Sequence, residues 1–156
     1  MQTQISKEMT FDCAHMLSGH RSKCANLHGH TYKIQLIFQD ELIDKKGDTS
    51  EGMVIDFADL KQLMQEEIID NFDHAVIFSD LQHRNEAEED LYHWAVRNDM
   101  RYVVLPCRTT AENMASFMAQ LIRDAFCEKG VPQNKQPSKI GVRLWETPTS
   151  CVEVFV

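Results

Sequence analysis

The stretch Cys24–Asp40, C-A-N-L-H-G-H-T-Y-K-I-Q-L-I-F-Q-D, joins two patterns in one run. Tyr32, Ile34, Leu36 and Phe38 alternate with Lys33, Gln35 and Ile37, the period of a half-buried β-strand. Just ahead, His28 and His30 stand two residues apart. Side chains alternate faces along a strand, so H-x-H presents both imidazoles on one side. Imidazole is a common zinc ligand. His15, in F-D-C-A-H, lies on a preceding stretch, residues 5–16, that also reads as a strand. Three histidines and an open fourth position describe a catalytic zinc site. The bland alternative is three unrelated histidines, two of them in a surface turn; the strand spacing and the third histidine weigh against it.

Cys24 precedes this pair by four residues and follows Lys23. Positive charge beside a cysteine favours the reactive thiolate, so Cys24 is a candidate base or nucleophile. A fourth zinc ligand or a small loop residue are the alternatives, and spacing leaves them open. His20, His83 and His93 read as surface histidines. Cys13, Cys107, Cys127 and Cys151 fall in strand or helix patterns or at element ends and read as buried packing.

Downstream, Asp56 is placed to cap a helix running to about Phe72, with Phe57, Leu60, Met64, Ile68 and Phe72 along one stripe. Asp73-His74 follows it. A carboxylate beside an imidazole orients it and raises its basicity; a polar pair ending a helix is the commoner arrangement. Residues 86–100 read as a second helix with Leu91, Trp94 and Ala95 inward, and residues 102–105 as a short strand ended by Pro106. The clearest helix spans residues 110–129, with Met114, Phe117, Met118, Leu121, Ile122, Ala125 and Phe126 at i, i+3, i+4 spacing. Thr109 and Glu112 before it match the T-x-x-E capping box, and Gly130 is placed to stop it, ahead of a loop over residues 132–138. Residues 139–146 and 151–156 read as a hairpin about T-P-T-S, with Glu146 at a strand end. A carboxylate there can accept two parallel hydrogen bonds from a guanidine-like edge, although most such glutamates are simply solvated. The order of elements predicts an α+β fold, an antiparallel sheet covered by helices on one face.

A chain of 156 residues with 43% hydrophobic and 26% charged residues reads as one globular domain over 1–156. No apolar run is long enough to span a membrane. The N-terminus lacks a signal-peptide core, which predicts a cytoplasmic protein. Five irregularly spaced cysteines predict free thiols. A net charge of −8 argues against general nucleic-acid binding, yet leaves room for a small anion at a local basic cluster.

The segments F-D-C-A-H, C-A-N-L-H-G-H-T-Y, G-M-V-I-D-F-A-D-L-K, F-D-H-A, T-A-E-N and W-E-T occur in this order between Phe11 and Thr147. Together they resemble the family of 6-pyruvoyltetrahydropterin and 6-carboxytetrahydropterin synthases. The resemblance implies the tunnelling fold, two main helices on one face of an antiparallel sheet, assembling as a homo-oligomeric barrel, trimer or hexamer. It implies Zn²⁺ on His15, His28 and His30, with Cys24 as proton acceptor and His74, supported by Asp73, as its relay partner. It also implies Glu146 as anchor of the pterin amino-pyrimidine edge and member of the relay, and Thr110 and Glu112 as pocket residues. Three residues separate Cys24 from His28. That spacing is similar to the 6-carboxytetrahydropterin synthases of the queuosine (7-deazaguanine) pathway, which act on 7,8-dihydroneopterin triphosphate. Arg21, Lys23 and Arg108 are candidates for its triphosphate. The 6-pyruvoyl product and a non-enzymatic zinc-binding module are the rival readings. The stretch 79–105 is longer than in the shortest family members.

Overall fold

The computed structural model describes residues 1–129 and 137–156. Two long strands form its spine: β1 (Gln2–His15) and β2 (His28–Glu41), antiparallel over their whole length. The predicted alternation holds in β2, where Tyr32, Ile34, Leu36 and Phe38 are buried. Ile37, on the other face, is buried as well. Between the two histidines, Gly29 lets β2 approach β1 closely, because a Cβ there would lie 3.2 Å from the Cys13 carbonyl oxygen.

The remaining strands are β3 (Ala75–Ser79), β4 (Tyr102–Leu105), β5 (Lys139–Thr147) and β6 (Ser150–Phe155). They build one six-stranded sheet in the order β4-β3-β1-β2-β5-β6. The β1–β2–β5–β6 portion is antiparallel, as expected. β3 and β4 extend it in parallel, which makes the whole sheet mixed. β3 lies in a stretch, residues 75–85, for which the sequence pattern predicts no element. Its A-V-I-F-S run is apolar on both faces and shows no alternation.

One face of the sheet carries the main helices. Asp56 caps α1 (Phe57–Met64), its Oδ1 accepting the Ala58 N–H at 2.7 Å. A π-helical turn, Gln65–Ile69, then leads into α2 (Asp70–Phe72). Leu60, Met64, Ile68 and Phe72 are all buried, although a repeated spacing of four drifts about 40° per step around a regular α-helix. The wider π turn takes back part of that drift. Phe57, expected on the same stripe, is exposed at the helix start. α4 (Ala111–Lys129) packs on β5 and β6 and buries Met114, Met118, Ile122 and Phe126. Its cap is Thr110, whose hydroxyl accepts the Asn113 N–H at 3.3 Å. Thr109, the expected cap, is instead buried and donates to the Met16 carbonyl at 3.1 Å. The expected helix stop at Gly130 and most of the loop over 132–138 lie outside the described residues.

α3 (Glu86–Arg97) covers the opposite face at the β3–β4 edge. Ile77 belongs to the main core, so its neighbour Phe78 points the other way, onto Tyr92 of α3 and Tyr102 of β4. α3 turns Ala95 inward as expected, but it also buries Glu88 and leaves Trp94, expected on the inner face, exposed. Away from α3 that face is largely polar, with Lys33 over the Trp145 ring and Arg143 paired to Glu153. Cys13 is buried as expected, whereas Cys127 and Cys151 are exposed.

Candidate functional site

The β1–β2 register sets His15 directly opposite His28 and Cys13 opposite His30. The three imidazoles therefore share the helix-bearing face, beyond the end of the apolar core. Their available ligand atoms all lie within 4.8 Å of one another. His15 is 1% exposed. Its Nδ1 donates to the Thr109 carbonyl at 2.8 Å, and His28 Nδ1 donates to the Asn26 carbonyl at 2.7 Å. Carbonyls accept only, so both rings carry hydrogen on Nδ1 and leave Nε2 as a lone-pair donor. Such outer hydrogen bonds orient metal-binding histidines. His30 Nε2 is buried with no hydrogen-bond partner among the described residues. Burial shifts the His15 and His30 pKa values downward from 6.5, toward the neutral form that binds metal. An orphaned ring nitrogen among neutral imidazoles fits a divalent metal with nitrogen preference, and zinc is such a metal.

Glu146, near the end of β5, points into the same place. Its Oε1 lies 3.6 Å from His15 Nε2 and 3.8 Å from His30 Nε2, and it accepts the Tyr32 hydroxyl at 3.3 Å. Tyr32 is fully buried and stacks on Phe11, so Glu146 is steered by a side chain locked in the core. Burial raises the Tyr32 pKa first, and the nearby Cys13 and Glu146 add to the shift, so the phenol stays a donor. The pattern of apolar alternation marks Tyr32 only as core; its hydroxyl role is invisible until β5 is laid beside β2.

Glu146 also lines a cavity of about 480 Å³ with Thr110, Glu112, Arg108, His20 and Cys151. The expected pocket residues Thr110, Glu112 and Glu146 thus come together. Cys24 lies in a 3-10 turn, Lys23–Ala25, capped by the Ser22 hydroxyl at 3.3 Å from the Cys24 nitrogen. The Cys24 carbonyl accepts the Leu17 N–H at 2.9 Å, which folds the loop back on itself.

Asp73 and His74 form a pair of their own at the turn before β3. Asp73 Oδ1 accepts the Asp12 N–H at 2.9 Å and its Oδ2 lies 3.0 Å from His74 Nδ1. The Asp12 N–H, and secondly His74, hold the Asp73 carboxyl below the ordinary value of 3.8. His74 adopts a φ of 60°, a left-handed conformation uncommon for a residue with a side chain, and its N–H donates to the Asp12 carbonyl at 2.6 Å. His74 lines a cavity with Asp12, Cys13, Ala14, His30 and Thr31, so the β1–β2 ladder runs between the pair and the imidazole cluster. Among the described residues no hydrogen bond, ion pair or ring contact links Cys24 to His74.

A relative from Haemophilus influenzae named 6-carboxy-5,6,7,8-tetrahydropterin synthase is 40% identical over 150 residues, covering 96% of each chain. One of the same name from Rickettsia felis is 32% identical over 153 residues, 97% of this chain and 99% of that one. The fold is similar to that of 6-pyruvoyl tetrahydropterin synthase from Plasmodium falciparum, with TM-score 0.71, 21% identity, and 99% and 98% of the two chains covered. A family model described as 6-pyruvoyl tetrahydropterin synthase matches residues 4–155, and the chain belongs to that family.

Proposed function

We propose that this chain is a zinc-dependent 6-carboxy-5,6,7,8-tetrahydropterin synthase, converting 7,8-dihydroneopterin triphosphate and water to the carboxylated pterin, acetaldehyde and triphosphate, a step of 7-deazaguanine (queuosine) biosynthesis. The observation that carries it is the meeting of the imidazole cluster and the Glu146 carboxylate, within 3.8 Å, at the wall of the Thr110–Glu112 cavity. The relatives' shared name and the three-residue gap between Cys24 and His28 favour the carboxylated product.

In this reading His15, His28 and His30 hold the metal. Bound there, zinc supplies Lewis acidity toward the oxygens of the substrate's side chain. Glu146 accepts hydrogen bonds from the pterin's amino-pyrimidine edge and holds the reacting carbon in place. Thr110 and Glu112 line the pocket for the ring. The Cys24 thiolate takes a side-chain proton, and His74, oriented by Asp73, returns one to the ring.

Among the described residues no contact joins Cys24 to His74 within one chain, and in this reading a second copy completes the relay. Among the described residues β1 pairs with β3 only at Cys13–His15, and β4 and β6 end the sheet, which leaves strand edges on β1, β4 and β6 available. Closing those edges between copies makes a ring, the arrangement expected of a trimer or hexamer. Mass spectrometry of the product from 7,8-dihydroneopterin triphosphate tests the proposal. A 6-carboxy product with equimolar acetaldehyde supports it, whereas a 6-pyruvoyl product, or no turnover, overturns it.

A further inference from the structure

The segment between β3 and β4 is tied to the site by a buried carboxylate. Glu88 of α3 is 0% exposed. Its Oε1 accepts the Ser79 N–H at 2.7 Å, and its Oε2 accepts the Ser18 hydroxyl. The same hydroxyl accepts the Asn85 N–H at 3.2 Å. Ser18 in turn presents its carbonyl to Arg108, whose Nη2 donates to it at 2.8 Å. α3 therefore clamps the loop after β1, and that loop clamps Arg108.

Arg108 itself is underused. A guanidinium carries five N–H donors. Among the described residues this one makes a single hydrogen bond, and its Nε is buried with no partner. Arg108 is the one Lys or Arg among the described residues lining the Glu146 cavity, and it forms no ion pair with Glu112 or Glu146 there. Arg21 and Lys23, the other expected cations, do not line that cavity. Buried donors in native proteins find acceptors, and one left open beside a cavity is met by what enters it. The two carboxylates across the cavity take donors, not anions. An anionic arm of the substrate is therefore directed to the guanidinium, whose fork matches phosphate oxygens.

We propose that Arg108 binds the triphosphate arm of the pterin substrate, and that Ser18 and Glu88 are positioning residues that aim it. This rests on the pterin reading above. The test compares the binding of neopterin and neopterin triphosphate to the zinc-loaded protein by fluorescence titration. The wild type is expected to bind the triphosphate form at least tenfold more tightly. Arg108→Gln is expected to bring the two dissociation constants together, and Ser18→Ala to narrow the gap about threefold. A gap that survives Arg108→Gln overturns the phosphate assignment. A gap untouched by Ser18→Ala, or equal weakening of both ligands, overturns the positioning role. Failure of the wild type to bind neopterin at all contradicts the pterin reading itself.

Discussion

Each histidine of the cluster is specified twice, once by its place on a strand and once by what its second nitrogen touches. The strand places were legible in the sequence, because H-x-H has a fixed meaning on a strand. The partners were not: the carbonyls of Thr109 and Asn26 belong to backbone, which no residue type announces. Replacing His15 or His30 with Ala should reduce bound zinc from one per chain to near zero, measured by atomic emission. In the intact protein, free zinc at a thousand times its dissociation constant should stabilise the fold by about 4 kcal/mol. Chelation should reverse that gain in a thermal melt. Glu146→Gln separates anchor from ligand, since it should keep the zinc while raising KM for the pterin. Loss of zinc in that variant would make Glu146 a ligand.

At the scale of elements, strong periodicity was read well and weak periodicity was not. The alternation in β2 and the i, i+3, i+4 stripe of α4 both stand in the structure, because each element buries one face against one core. β3 escaped notice because both its faces are covered, by the main core and by α3, so its sequence has no polar beat. In α3 the inward Glu88 is anchored by hydrogen bonds, which hydrophobic patterning cannot foresee. Capping is testable here too. Asp56→Ala should cost about 1 kcal/mol of stability by urea unfolding. The turn between α2 and β3 supplies a pH prediction. Asp73 has a folded-state pKa below the ordinary 3.8, so its stabilisation is present above that value and is lost as pH falls through the lower folded value. The stability difference between wild type and Asp73→Asn should therefore hold from neutral pH to about 4 and vanish below it.

Across the whole molecule, the sheet has two distinct faces. One buries the core and ends in the imidazole cluster, and the other is largely polar away from α3. The segment F-D-H-A fits the family pattern in sequence, yet among the described residues nothing in one chain joins His74 to Cys24, and His74 instead lines a cavity with Asp12, His30 and Thr31. Sequence order gives no hint of this, since it depends on which edge of β1 the strand after His74 joins. That missing contact, with the available edges of β1, β4 and β6, predicts a closed assembly in solution. Sedimentation equilibrium should return three or six times the chain mass.

The central claim is an open metal site of three histidines worked by a cysteine that is not a ligand. Cys24→Ala, assayed for bound zinc and for turnover of 7,8-dihydroneopterin triphosphate in the same preparation, tests it most directly. The account predicts one zinc per chain, as in the wild type, and turnover lower by about 10²–10⁴. Full activity, or loss of the zinc, would contradict it.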